Sequence, residues 1–414
     1  MIDNHGDLGV CWRLSQSLAR LGCTVRLYVD RPENLDWMAP HWAKPNGIAP
    51  TYAGVSVYPW PNDDAPGPPG PLPQVVIEAF GCDLPPLYIT QLAHQAHTSP
   101  SSSVVWINLD YMSAEAFYQN IHRMPSPQLW GPAKGLTKWF YQPGFTPKSG
   151  GLLRPHPVPR EREDLGGVAL VEVCVDACVD ACVDACVEAC IVPSPGAFKP
   201  DTVNSEPLQW VLFCYEPVAL KDLLLQLSVS STPVLLQVAP GRATHHTLEC
   251  IELLWPKSVQ ERTATGAPLE DPNHTRMQLG NLSLSFLPYM DQFEFDQLLL
   301  QSSLNFVRGE DSLVQAIWAQ KPFIWQIYPQ DDGAHGPKLE AFLETLQAPQ
   351  SLEIFMRVWN GLSSEPLPEL GASVLEEWRV WSQEYAKRMQ NVPDLATELV
   401  LFSQELKAHP PNPD

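Results

Sequence analysis

Positive charge is what this sequence lacks. Lysine and arginine number 26 against 47 aspartates and glutamates, giving a formal net charge of −21. That deficit argues against nonspecific binding to nucleic acid or to an anionic membrane surface. Long apolar runs are missing too. None can span a bilayer and no stretch reads as a signal peptide, so a cytoplasmic protein is expected. Cysteine is scarcer than its count of 10 suggests, because one repeat between Cys174 and Cys190 takes half of it. The others, Cys11, Cys23, Cys82, Cys214 and Cys250, stand mostly in apolar surroundings. They read as reduced, buried thiols rather than disulfide partners.

What is present is enough chain for two cores: 414 residues of ordinary apolar content. Proline, at 43 residues, is about twice its usual share and gathers in loops such as Pro59–Pro73 and the Pro410–Pro413 tail. The pattern is α/β throughout. Val10, Leu14, Leu18 and Leu21 recur at helical spacing, Gly22 ends that helix, and Thr24–Val29 reads as a strand. Val55–Tyr58, Val75–Phe80 and Val104–Leu109 are strand-like, the last a continuous apolar run suited to burial on both faces. The stretch from Tyr111 to Gly151 reads as loop-rich. Polar loops beyond buried strands are where α/β domains place binding groups, and Asp110 and Glu115 there suit a cationic acceptor or plain solvation.

The second half restarts the pattern. Trp210–Tyr215, Pro233–Val238 and Leu282–Leu287 read as strands, Ala219–Leu227 as a helix. The stretch Phe306-Val307-Arg308-Gly309-Glu310-Asp311-Ser312 is strand, tight polar turn and helix start. A helix N-terminus offers unpaired N–H groups and the positive end of a dipole, which suits a diphosphate. Arg308 adds a charge-assisted fork and Ser312 a capping hydroxyl. An ordinary βα turn with a structural arginine presents the same residues. Val374–Gln390 and Asp394–Lys407 read as helices placed to pack back across both domains.

Between the halves, Cys174–Cys190 repeats Cys-Val-Asp-Ala. As a strand it puts Cys and Asp on one face and Val and Ala on the other; as a helix it runs the cysteines down one slowly drifting side. A monotonous Cys-x3-Cys ladder is not a zinc spacing, so the repeat reads as a low-complexity insertion without catalytic role. The expected division is an N-terminal domain over 1–163, the insertion and linker over 164–205, a nucleotide domain over 206–373, and C-terminal helices over 374–408.

Longer motifs carry a resemblance. They are Ile2-Asp3-Asn4-His5-Gly6-Asp7-Leu8-Gly9-Val10-Cys11-Trp12-Arg13-Leu14, Val76–Cys82, Trp106–Tyr111, Pro143–Thr146 with Gly150–Arg154, and Phe306–Ser312 with Trp318–Gln330. Together they resemble the elongation factor P arginine rhamnosyltransferases, the EarP family. The resemblance implies a GT-B fold, two Rossmann-like domains around a cleft. It also implies transfer of rhamnose from dTDP-rhamnose to an arginine of elongation factor P, with inversion and without a metal or cofactor. By resemblance Asp7 is the general base and Asp3 a second functional carboxylate, both in the loop of Gly6. Helix N-terminal capping accounts for the same two aspartates. Arg308, Glu310, Asp311 and Ser312 match the diphosphate and ribose turn, Tyr328 a tyrosine near the diphosphate, and Phe213 and Tyr215 the aromatic pair of the donor pocket. Gln292 matches a donor-site glutamine, and Tyr289 stands where the family has a phenylalanine. Asp110, Tyr111 and Glu115 are the acceptor-side candidates.

One departure bears on folding. Family members carry a sheet strand ahead of the Asp3–Asp7 loop, and here the loop opens the sequence. That implies a central sheet edge left unpaired. Two other readings therefore stay open: a nucleotide-sugar-binding homologue without catalysis, and another GT-B glycosyltransferase acting on a small molecule or glycan.

Overall fold

The computed structural model describes residues 5–39, 51–52, 54–60, 70–98, 104–155, 170–175, 207–256, 276–330 and 333–409. Asp3 and the repeat beyond Val175 lie outside them.

The first helix, His5–Arg20, buries Leu8, Cys11, Leu14 and Leu18 along one stripe. Gly22, at φ +92°, takes the left-handed turn that ends it. The strands that follow are β1 (Thr24–Val29), β2 (Thr51–Tyr52), β3 (Val55–Pro59), β4 (Val75–Ala79), β5 (Val105–Leu109), β6 (Pro125–Pro127), β7 (Thr137–Tyr141) and β8 (Leu170–Val175). They form one eight-stranded sheet in the order β2-β3-β1-β8-β4-β5-β7-β6. Only β2 and β6 run antiparallel to their neighbours. The Tyr111–Gly151 stretch, expected to be loop-rich, holds a helix at Ala116–Ile121 and the β6–β7 hairpin.

The centre of this sheet departs from expectation. No edge is left open there, because β8 lies parallel between β1 and β4, in register with both. Six residues of the segment expected as insertion and linker are thus the central strand. The alternation explains the fit: Val171, Val173 and Val175 join the core beneath the first helix, while Glu172 and Cys174 face the other side. There Glu172 is fully buried, accepts from the Tyr88 hydroxyl and lies 3.1 Å from Arg26 of β1.

A second, six-stranded sheet is built from β9 (Leu208–Leu212), β10 (Val234–Val238), β11 (Arg276–Leu279), β12 (Leu282–Phe286), β13 (Leu304–Arg308) and β14 (Phe323–Gln326). Its order is β11-β12-β10-β9-β13-β14, parallel except for β11. The chain leaves β9 toward β10 and later returns to lay β13 on the other side. The strand order therefore reverses between β9 and β13, and their carboxyl ends open a crevice suited to a ligand. Helix Ala372–Met389 puts Trp378, Trp381 and Tyr385 into this second core. The last helix, Leu395–Ala408, puts Leu399, Val400 and Phe402 into the first. The C-terminal pair thus packs back across both domains as expected. Among the described residues no helix is long and apolar enough to cross a membrane.

Candidate active site

The reversal point gathers most of the expected donor-side residues. β13 ends in Arg308, and the next residue, Gly309 at φ +63°, begins helix Gly309–Ala319. That positive φ is what asks for glycine at the turn; a Cβ there would only touch the Tyr215 hydroxyl, at 3.4 Å. Ser312 closes the turn: its hydroxyl accepts from the Arg308 N–H at 3.2 Å and donates to the Arg308 carbonyl. The Arg308 guanidinium lies 4.4 Å from the Phe213 ring centre and 4.6 Å from that of Tyr215, two residues just past β9. Burial alone lowers its pKa to about 10, so it remains charged at neutral pH. Tyr328 meets Tyr215 edge-on at 5.4 Å.

Tyr289 is 59% exposed at the mouth, and its ring packs 5.3 Å from Trp37 of the first domain. Sequence reading missed Arg242, which begins a helix after Gly241 at the carboxyl end of β10. It lies 4.9 Å over the Tyr215 ring and pairs with Glu216. The signal was available: Pro240-Gly241-Arg242 follows the strand beside β9.

On the other side of the cleft, Asp7 sits in the first turn of the first helix, next to exposed Gly6. Its carboxylate accepts from the Tyr111 hydroxyl at 3.0 Å. Tyr111 in turn stacks on Phe80 at 4.7 Å, and Phe80 is held in the left-handed region at φ +59°. A phenylalanine there is strained, and the aromatic stack beside the carboxylate is what it gains. Burial raises Asp7 from its ordinary 3.8 to about 6, against the opposing pull of the Tyr111 bond. Glu310 faces it from the second domain. Its carboxylate accepts the Met112 N–H at 3.0 Å, and burial, helped by the Asp7 charge, raises it to about 8. Near neutrality Asp7 is mainly ionised and Glu310 mainly protonated. Two facing carboxyl groups are thus held in different protonation states near neutral pH.

The remaining expected residues are engaged elsewhere. Asp110 accepts its neighbour Tyr111's N–H at 2.8 Å and the Gln142 amide at 3.1 Å, and Glu115 accepts from Ser113 at 3.2 Å, all within the first domain. Asp311 and Gln292 turn toward the first helix rather than toward the reversal point. Gln292 donates to the Gly9 carbonyl at 3.0 Å, and Asp311 lies 2.7 Å from Arg13.

Two doubly wound domains, one with a cationic turn at its strand reversal and the other with a carboxylate opposite, have the make-up expected of a GT-B glycosyltransferase. Comparison with known proteins narrows this to one family. The model of the elongation factor P (EF-P) rhamnosyltransferases, EarP, matches residues 1–404, and the chain belongs to that family. It is 36% identical over 415 residues to the protein-arginine rhamnosyltransferase of Pseudomonas aeruginosa, covering 97% of this chain and 96% of that one. It is 32% identical over 435 residues to the Shewanella oneidensis protein of the same name, covering 97% and 95%. A solved structure concerned with EarP-mediated arginine glycosylation of translation elongation factor EF-P is also similar, at 27% identity and a TM-score of 0.37. That likeness spans 48% of this chain and 61% of the other.

Proposed function

We propose that this chain transfers rhamnose from dTDP-β-L-rhamnose to one arginine of translation elongation factor P, with inversion. The observation that carries the reading is Asp7: a carboxylate in the cleft, pinned by Tyr111, raised to about 6, and facing the turn of Arg308 and Glu310. An arginine side chain is a poor nucleophile, cationic with its lone pairs delocalised. It needs a carboxylate to orient it and take a proton. In the step proposed here, an acceptor nitrogen attacks the anomeric carbon while the bond to the diphosphate oxygen breaks. The nitrogen's proton passes to Asp7, and dTDP leaves with the bond's electron pair. One displacement inverts the centre and forms no covalent enzyme intermediate. Arg308 and the N–H groups opening helix Gly309–Ala319 take up the developing charge on the diphosphate, so this reading assigns no role to a metal or cofactor. Tyr289 and the Phe213–Tyr215 pair supply ring faces for the base. Tyr111 holds Asp7, and the acceptor's setting makes the protein cytoplasmic.

Of the other readings, loss of catalysis rested on an unpaired central strand position, and β8 occupies that position. The test is the intact mass of elongation factor P after incubation with the chain and dTDP-rhamnose. A gain of one deoxyhexose supports the reading. Donor binding with no mass change favours the non-catalytic homologue, and transfer to a free sugar favours another glycosyltransferase.

A further inference from the structure

The face of the first helix turned to the nucleotide domain carries Gly9, Arg13, Gln16 and Arg20, a single stripe at helical spacing. At its top the domains touch closely: a Cβ added at Gly9 would come 3.0 Å from the Gln292 amide nitrogen. One turn on, the terminal nitrogens of Arg13 fork the Asp296 carboxylate, both bonds 2.7 Å long. Its remaining nitrogen, Nε, lies 2.7 Å from Asp311. Asp296 belongs to helix Gln292–Gln301 and Asp311 to helix Gly309–Ala319, so one guanidinium binds two helices of the other domain. Asp311 directly follows Glu310, and Asp7 lies on the same helix as Arg13. Below the fork the domains part around a crevice of about 360 Å³ walled by Gln16, Arg154, Gln297 and Trp318.

We propose that Arg13 is a positioning residue: its fork on Asp296 and its ion pair with Asp311 set the distance between the helix that carries Asp7 and the turn that carries Arg308. The proposal rests on the transferase reading of the cleft. A planar guanidinium is suited to the task because its two terminal nitrogens grip one carboxylate in a fixed direction while its charge holds a second acid against Nε. The two acids hold Arg13 firmly protonated in spite of its burial. Without it, Asp296 and Asp311 would repel each other across the interface, and the helix could draw back from the turn. Displacement-type catalysis is sensitive to such a shift, since about 1 Å of misplacement costs about 10²-fold in rate.

The test compares the parent with Arg13→Ala, Arg13→Lys and Asp296→Asn. Three readouts are taken: steady-state transfer to elongation factor P, dTDP binding by calorimetry, and radius of gyration by solution scattering with saturating dTDP. Expected for Arg13→Ala is a kcat lowered by about 10²-fold, little change in donor KM or dTDP affinity, and a larger particle than the parent. Lysine supplies a point charge without the fork and should recover part of both effects. Asp296→Asn removes one arm and carries the test if the alanine variant does not fold. Parent-like kcat and radius in folded variants would overturn the proposal, and so would a loss confined to donor KM. The scattering arm needs no acceptor, so it decides the fork even if the parent leaves elongation factor P unmodified, an outcome that would sink the transferase reading instead.

Discussion

Replacing Asp7 by asparagine separates two things this carboxylate does. The substitution keeps the size and an acceptor for the Tyr111 hydroxyl, 3.0 Å away in the parent. It removes charge and basicity. For catalysis, loss of a positioned base costs about 10²–10⁴-fold, so transfer to elongation factor P should fall by at least the lower figure. Donor binding should be unchanged, because the dTDP contacts proposed above lie in the second domain. For stability the sign is opposite. Burial raises Asp7 from 3.8 to about 6, so the folded state holds this proton more tightly than the unfolded chain. Its contribution to stability is therefore present below about pH 4 and lost as pH rises through about 6. The rise corresponds to at most about 3 kcal/mol. Asp7→Asn should thus be more stable than the parent by up to that amount at pH 8, and equal to it near pH 4.

Urea titrations at the two pH values and intact-mass kinetics measure both effects. The parent's rate should also drop on acidification through about pH 6, with the titrating groups around Asp7 being Tyr111, Glu310, Tyr215 and Cys11. If the asparagine variant modifies elongation factor P at close to the parent rate, Asp7 is a helix cap. Asp3 then becomes the candidate base. A stability difference that does not grow with pH would show that burial is not what raises this group.

Arg308→Ala should weaken dTDP binding by about 1.5–3 kcal/mol, the range for hydrogen bonds to charged groups; unchanged affinity by calorimetry would remove Arg308 from the donor site. Glu310→Gln should match the parent near pH 4, gain on it steadily as pH rises toward about 8, and hold a constant advantage above that, since the folded state keeps a proton that the unfolded chain gives up from about pH 4.5. Denaturation across that range checks it. Removing residues 176–190 should leave a soluble, active protein, whereas removing 170–190 should take the central strand and leave the chain insoluble or unfolded by circular dichroism. A well-folded 170–190 deletion would refute the role given to β8.

Much of the fold was legible because it rests on local pattern. The buried stripe of the first helix, the Thr24–Val29 strand and the strand–turn–helix at Arg308 each declare themselves within a few residues. Phe213, Tyr215 and Arg308 converge because β9 and β13 are neighbours, and a reversal of strand order was the natural place to look for a ligand. Asp311 and Gln292 were a different matter. Each is polar and close in sequence to the donor turn or its flanking helix, but their partners Arg13 and Gly9 stand roughly 300 residues away. A mid-helix arginine gives no local hint of whether it meets solvent or a pair of acids.

The central strand was hidden for a more specific reason. Val171-Glu172-Val173-Cys174-Val175 has the pattern of the copies that follow it, Val175-Asp176-Ala177-Cys178-Val179 and onward, each displaced by four residues. Four is even, so a shift by one copy keeps every side chain on its own face of a strand. Alternation alone cannot choose among them, and the whole run reads as low complexity. What distinguishes the first copy is fit to the slot between β1 and β4. Glu172 has the length to meet both Arg26 and the Tyr88 hydroxyl, where all later copies but the last, with Glu188, carry an aspartate one methylene shorter. Val173 is fully buried beneath the first helix, where the later copies offer alanine and leave a void. The register of the strand beneath Asp7 is therefore set by a buried acid and one branched side chain, and both become informative only once their partners on β1 and helix Pro86–Thr98 are known.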